Sequence, residues 1–313
     1  MTESGHHFLA PLGEIFGTNP TKPLFHYTTI AGLRGIIESR TMWATDARFL
    51  NDWSEVRYIA SIAGSSLERR RDLEPERGDD LRALHAGLNR WVQSHYRSHG
   101  VYVCSLSENG NQLSQWRGYC PDGGGVSIGF DSVDLHTSLF LHGVVTVKVC
   151  YEAVRQQQIV DGILDHLLHD EISEAYMGAG RLESMQEEFL QLLSMSAPLL
   201  KHPGFKEEAE WRLIYSTPTY LPVFRHIAGK YPDVFENPPS PLKTEYRVKD
   251  QRLIPYVSLP LTGNSQDQMA FDSVILGPSA EPELFEETMK GYLRSAEVVI
   301  QSMTSSGIPL RVP

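Results

Sequence analysis

The hydrophobic period of the chain changes near residue 101, and that change limits the folds open to it. Before it, apolar residues recur at helical spacing. Ile30, Leu33, Ile36 and Ile37 fall on one face, and "DWSEVRYIASIAGSSLERR" and residues 81–95 continue in helical style. After it, "VYVCSL", "GVSIGF" and "VVTVKVCY" alternate or run apolar, as strands do. Residues 156–200 return to a helical stripe of Ile159, Ile163, Leu164, Leu167 and Leu168. "EWRLIYS", "YVSLPL" and "DSVILGP" then return to strands, ahead of a last helix in "AEPELFEETMKGYLRS". Strands and helices thus come in blocks, not as regular βαβ units. The expectation is an α+β fold with a mixed, mostly antiparallel sheet, in which 156–200 is a helical insertion or lid. The expected division is an N-terminal extension over 1–22, one α+β domain over 23–300, and a C-terminal tail over 301–313.

The chain has 313 residues and a formal net charge of −11. That charge argues against sequence-independent binding to nucleic acid, which needs dense Lys and Arg. The arginines of "ERRRDLEPER" read more readily as a solvated helix end than as a binding patch. No apolar stretch approaches the roughly 20 residues that cross a bilayer, and "MTESGHHFLAPLGE" lacks the features of a secretion signal, so a cytoplasmic protein without membrane contact is expected. Cys104, Cys120 and Cys150 are widely spaced and read as buried reduced thiols; His95 and His99 stand in a polar segment with no nearby acid, so no metal site is expected.

Two helix starts carry capping signals. Thr29 is placed to cap the helix after "KPLFHYT". Asp52 and Glu55 have capping-box spacing in "FLNDWSE", with Asn51 bracing the same loop.

Four stretches set unusual polar residues beside apparent strands: "FHYTT", "VCSLSENGNQLSQWRGY", "DARFLNDWSE" and "FKEEAEWRL". Each has a plain structural reading. His26 can be a core histidine bonded to a carbonyl, Ser105 and Ser107 can face solvent, and Glu207, Glu208 and Glu210 can form a charged turn. Taken together they suggest a site. In an extended segment Glu208 and Glu210 point to the same side, and their repulsion raises one pKa, which suits general-base work. Arg117 beside Trp116 and Tyr119 offers a cationic and aromatic surface for a planar, phosphorylated ligand. Among these, Trp116 reads as buried scaffold and Arg117 as the ligand candidate. No P-loop, dinucleotide fingerprint or nucleophile elbow is present.

The ordered set "HYTTIAGLRGIIES", "MWATDARFLNDWSE", "CSLSE", "QWRGYC…GGGVSIGF", "KEEAEWRLIY" and "SVILGP" resembles a bacterial domain-of-unknown-function family, the one numbered twenty-nine seventy-one, from about residue 24 to about 295. More distantly, the chain is similar to ADP-ribosyltransferases. These carry an Arg or His on an early strand, a Ser-x-Ser or Tyr on a middle strand, and a Glu, often in Glu-x-Glu, at the start of a late strand. Here His26, Ser105-Leu106-Ser107 and Glu208-Ala209-Glu210 stand in that order, although the chain joins the histidine of one subtype to the Ser-x-Ser of the other.

That resemblance implies a split sheet with NAD as substrate. Glu210 would stabilise an oxocarbenium-like ribose and Glu208 would orient or deprotonate the acceptor. His26, Tyr27, Thr28, Ser105, Ser107, Arg117 and Tyr119 would bind NAD: His26 at a ribose hydroxyl, Tyr119 or Tyr27 on nicotinamide, Arg117 at the pyrophosphate. The acceptor stays open among protein, nucleic acid and small molecule. The alternatives are an NAD glycohydrolase and a non-catalytic sensing or interaction module on the same fold. Family analogy adds an expected setting in toxin action or phage defence.

Overall fold

Ten strands pair into one open sheet in the computed structural model, which describes residues 18–49, 54–93, 100–120, 124–169, 180–216, 240–261 and 269–309. The strands are β1 (Leu24–Thr28), β2 (Thr41–Asp46), β3 (Val101–Ser107), β4 (Val126–Phe130), β5 (Val144–Lys148), β6 (Glu210–Ser216), β7 (Thr244–Lys249), β8 (Arg252–Pro260), β9 (Ala270–Leu276) and β10 (Val299–Ser305). The helices are α1 (Ile30–Ser39), α2 (Ser54–Leu73), α3 (Gly78–Gln93), α4 (Leu113–Tyr119), α5 (Ser132–Phe140), α6 (Ala153–Leu168), α7 (Arg181–Ser196) and α8 (Pro282–Ser295). The protein is α+β, with a mixed sheet flanked by helices. Every strand pair is antiparallel except β9 with β10, which are parallel and joined through α8. The sheet runs on to Ser305, beyond residue 300, because β10 is a polar edge strand with little apolar alternation to announce it.

The sheet order is β10-β9-β4-β1-β3-β2-β8-β7, with β6 and then β5 branching from β3. One edge of β3 pairs along its whole length with β6, from Val101↔Ser216 to Ser107↔Glu210. Its other edge is divided. β2 takes the start, at Asp46↔Tyr102 and Thr45↔Val103, and β1 takes the end, at Phe25↔Ser107. The sheet splits opposite Ser105.

Alternation along β3 and β6 feeds two cores. Tyr102, Cys104, Leu106, Trp211, Leu213 and Tyr215 join a cluster completed by α1, α5 and α8. Val101, Val103 and Ile214 join the other, completed by α2, α3, α6 and α7. These two strands are therefore covered on both faces, which is why β6 is buried from Glu210 to Tyr215. The helical stretch expected at 156–200 is present as α6 and α7. It is not a lid: its apolar stripe, Ile159 to Leu168, is core.

Local signals act as the residues predict. Thr29 caps α1 by accepting the Gly32 N–H at 3.1 Å. The arginines near the end of α2 are tied to acids: Arg69 to Asp161 at 2.8 Å and Arg70 to Asp165 at 2.5 Å, which clips α2 to α6. All three cysteines are free and buried. Among the described residues no helix is long and apolar enough to cross a membrane, and no cluster of metal-ligating side chains occurs.

Candidate functional site

The segment leading into β6 builds the centre of the site. Pro203–Glu208 forms a 3-10 turn, not the extended run that the sequence suggested. Ala209 then adopts φ 43°, ψ 48°, a left-handed conformation rarely taken by a residue with a β-carbon. The two glutamates meet all the same, for a different reason. Lys201 bridges them, donating to Glu208 Oε2 at 2.6 Å and to Glu210 Oε2 at 3.0 Å.

Behind them lies Arg212, 2% exposed and two residues along the same strand face as Glu210. All five of its N–H donors are used. Nε and one Nη2 hydrogen go to Glu210 Oε1 and Oε2, at 2.8 and 3.1 Å. The other Nη2 hydrogen and one from Nη1 go to Glu55 Oε1 and Oε2, at 2.5 and 2.8 Å, and the last goes to the Pro198 carbonyl at 2.8 Å. Both Glu55 oxygens face the guanidinium, and the Asp52 half of the expected capping box lies outside the described residues, as does Asn51. The Glu210 N–H donates to the Tyr151 hydroxyl at 3.2 Å, which ties the start of the strand to the segment before α6.

Three carboxylates thus share two cations, and their environments push them apart. Burial raises the pKa of Glu210, but the Arg212 charge and hydrogen bonds, with Lys201 and the Ser105 hydroxyl, outweigh it and hold the carboxyl down at about 2. For Glu208 burial wins over the Lys201 contact and, with the Glu210 charge, leaves the pKa raised. Burial also disfavours the charge on Lys201, yet the two glutamates keep its pKa above the usual lysine value.

Glu208 and Glu210 line a narrow cleft together with Phe25, Tyr27, Ser105, Leu106, Gln115 and Tyr119. Phe25 and Tyr27 come from β1, Ser105 and Leu106 from β3, and Gln115 and Tyr119 from α4. Tyr119 is 42% exposed as a residue, whereas its hydroxyl stands in the field of the ion cluster; burial and then the Glu210 charge push it up to about 12. The Gln115 amide has no partner among the described residues, and neither does Glu208 Oε1.

The remaining expected site residues are placed differently. The Tyr27 ring lines the cleft, but its hydroxyl is committed. It donates to the Asn109 carbonyl at 2.6 Å, accepts from the Gln112 N–H at 2.9 Å, and its ring meets Trp116 edge-on at 4.8 Å. Ser107 is 2% exposed; it donates to the Glu208 carbonyl at 2.7 Å and accepts from the Asn109 N–H at 3.0 Å, so it braces the turn beneath the glutamates. His26 is not among the lining residues. It alternates with Phe25 and Tyr27 along β1, and its Nδ1–H donates at 3.1 Å to the Ser105 carbonyl, the backbone acceptor facing the split. Burial lowers its pKa, so the neutral ring makes that bond. Thr28 offers its carbonyl to the Cys120 thiol at 3.4 Å, and Gly125 lets this corner close, since a β-carbon there would stand 2.0 Å from Cys120 Sγ. Arg117 is exposed on α4 outside the cleft lining. Trp116 is wholly buried, as expected, and donates from Nε1 to Asn111 at 2.9 Å.

Glu55, Lys201, Arg212, Tyr151 and Gln115 were not anticipated. One signal was legible. Glu210 and Arg212 are two apart in an otherwise apolar strand, so period-two geometry sets their charges on one face of a buried element, where each needs the other. For Lys201, Glu55 and Tyr151 no local pattern distinguishes them from surface residues.

A family described as "Protein of unknown function (DUF2971)" matches residues 115–213, which supports the resemblance over the stretch from α4 to β6. That stretch holds Gln115, Tyr119, Tyr151, Lys201, Glu208, Glu210 and Arg212, whereas β1, α1 and the strands from β7 onward lie outside it. No curated protein and no solved structure matches the chain.

Proposed function

We propose that the cleft cleaves the nicotinamide–ribose bond of NAD and passes ADP-ribose to an acceptor. The observation that carries this reading is the glutamate pair. Two adjacent carboxylates at the floor of a partly aromatic cleft are driven in opposite directions, Glu210 to about 2 and Glu208 upward. Groups with separated pKa values can divide an electrostatic role from a proton-transfer role. Glu210 stays ionised and supplies negative charge to a ribose that becomes electron-poor as nicotinamide leaves. Glu208, with one oxygen open, takes the proton of the acceptor. The Gln115 amide pairs with the carboxamide of nicotinamide, and the protonated Tyr119 hydroxyl donates to a ligand oxygen. The nicotinamide-ribose half meets the residues that line this cleft. The adenosine half lies outside, towards the exposed Arg117.

A second reading has its own observation. Both Glu210 oxygens are already held by Arg212 and Lys201 in a residue only 4% exposed. A carboxylate so engaged also fits a non-catalytic module that binds its ligand without turnover.

The test is incubation of the full chain with NAD labelled separately in nicotinamide and adenine, with cell extract as acceptor. Release of nicotinamide with label fixed to an acceptor supports transfer; free ADP-ribose alone supports the glycohydrolase. Calorimetric binding without release supports the sensor, and no binding at all removes every NAD reading. Glu208→Gln should spare hydrolysis and reduce transfer. Glu210→Gln should cut nicotinamide release by ~100-fold, the scale of one lost electrostatic contributor. Gln115→Ala, which leaves the ion cluster intact, should weaken NAD binding with an unchanged melting temperature.

A further inference from the structure

The β7–β8 hairpin carries charge of the opposite sign to the protein as a whole. Lys243, Arg247, Lys249 and Arg252 face only Glu245 and Asp250 across this segment of a chain whose net charge is −11. The register decides where these cations point. Lys249 pairs with Arg252, Arg247 with Ile254 and Glu245 with Tyr256, so Lys249, Arg252, Arg247 and Tyr256 share one face of the hairpin. Trp43 pairs with Ser258 and Thr45 with Tyr256, which adds Trp43 and Thr45 to that face. Thr45 in turn pairs with Val103, so this face continues the cleft side of β3 beyond the split.

Three features of the face stand out energetically. First, Lys249 and Arg252 are like charges directly opposite each other, which opposes strand pairing, and neither has a carboxylate partner among the described residues. Second, Arg247 is partly buried, with Nε lacking any hydrogen-bond acceptor. Among the described residues its Nη2 reaches only the neutral Thr45 hydroxyl, at 2.9 Å, while the guanidinium lies 5.3 Å from the Trp43 ring centre. Glu245, on the same face, accepts instead from the Ser258 hydroxyl at 2.8 Å. Third, Trp43 is 44% exposed and packs on Tyr256 at a ring separation of 4.5 Å. Folding gains a cation–π contact and a ring pair from this arrangement, but these cations have no counter-charge among the described residues.

We propose that this face binds single-stranded nucleic acid. The cations from Arg247 to the hairpin tip meet phosphates, and the Trp43–Tyr256 pair gives a base a ring to stack on. The negative charge of the rest of the molecule does not prevent this, because at physiological salt its field is screened beyond about 8 Å. A single strand fits better than a duplex: bases inside a duplex have no free face to offer Trp43. The proposal does not rest on the cleft chemistry, and it holds whether or not NAD is cleaved.

The test is fluorescence anisotropy with a labelled oligothymidylate of about 12 nucleotides, within the site sizes of such surfaces, titrated with the full chain. Saturable binding is expected at about 50 mM salt, weakening steeply by about 200 mM. The double variant K249E/R252E, at exposed positions, should weaken it ~10-fold or more, and so should Trp43→Ala, both with melting temperatures near the parent's. No binding at low salt overturns the proposal, as does undiminished binding by K249E/R252E. If Trp43→Ala binds as the parent does, or if dextran sulfate or duplex DNA of equal length binds as tightly as the single strand, the face is a general polyanion site and the nucleic-acid assignment fails.

Discussion

Arg212 and Arg247 occupy comparable places, each mid-strand in the same sheet, and meet opposite treatment. Arg212 is wholly buried with all five donors satisfied by two carboxylates and a carbonyl. Arg247 is half-buried against a tryptophan and a threonine hydroxyl, with a donor unused. Burial opposes the charge on both. At Arg212, Glu210 and Glu55 reverse that cost and raise the pKa far above the usual arginine value. At Arg247 no carboxylate among the described residues offsets it, and the pKa falls. The contrast teaches how to separate a structural cation from one held ready for a ligand: by whether its counter-charge is supplied from within the chain, not by burial.

The largest effect that can break this comparison is at Arg212. Arg212→Leu leaves Glu55 and Glu210 buried with Lys201 as their one remaining cation among the described residues, and should cost about 3–5 kcal/mol in urea unfolding. Arg247→Leu, by the same measurement, should cost below about 1 kcal/mol, since it removes no carboxylate's partner. Similar losses for the two variants would erase the distinction drawn here.

Acid titration sharpens the same point. The folded pKa of Glu210 lies below its ordinary value of 4.5, at about 2, so its ionised form is favoured by folding. That contribution is present above pH 4.5 and is lost as pH falls towards 2, on the order of 3 kcal/mol in all. Glu208 acts in the reverse sense. Its raised pKa favours the protonated form, so its contribution is present below the ordinary value and lost as pH rises. In Glu210→Gln the dependence of unfolding free energy on pH should flatten in the acid window. An unchanged acid slope would show that Arg212 does not hold the Glu210 charge.

The turn that brings the glutamates together should be under strain at Ala209. Ala209→Gly removes the β-carbon penalty of the left-handed conformation, partly offset by greater freedom of the unfolded chain. A net gain of about 0.5–1 kcal/mol in thermal unfolding is expected. A loss of stability would mean that the alanine methyl packs usefully. The smallest effect is on the hairpin. K249E places an acid opposite Arg252 and should stabilise by about 0.2–1 kcal/mol. A destabilised hairpin would place an unseen counter-charge near Lys249.

Much of the fold was legible because its rules are local. Alternation identified β6 and sent Trp211, Leu213 and Tyr215 to one core and Ile214 to the other. A threonine before an apolar stripe marked the start of α1, whereas the arginines at the end of α2 pair with Asp161 and Asp165 of α6. The α+β class followed from the block order of helical and alternating periods. The likeness to ADP-ribosyltransferases went further than any local rule; what the structure shows is an open, mixed sheet flanked by helices.

What the tertiary structure alone decided is how charges distant in sequence find each other. Glu208 and Glu210 were recognisable as a pair, yet their convergence comes from a left-handed Ala209 and from Lys201, not from a shared strand face. Glu55 is half of an arginine clamp, because the N-terminus of α2 packs over β6 across 157 positions of sequence. His26 looked like a ligand residue and instead satisfies the Ser105 carbonyl where the sheet parts, a vacancy that exists only once β1 and β2 share one edge of β3. Sequence by itself determined periodicity, caps and the residues able to carry charge, since these depend on neighbours within a few positions. Which charges are neutralised depends on strand register and on what packs across the sheet, and no local period encodes either.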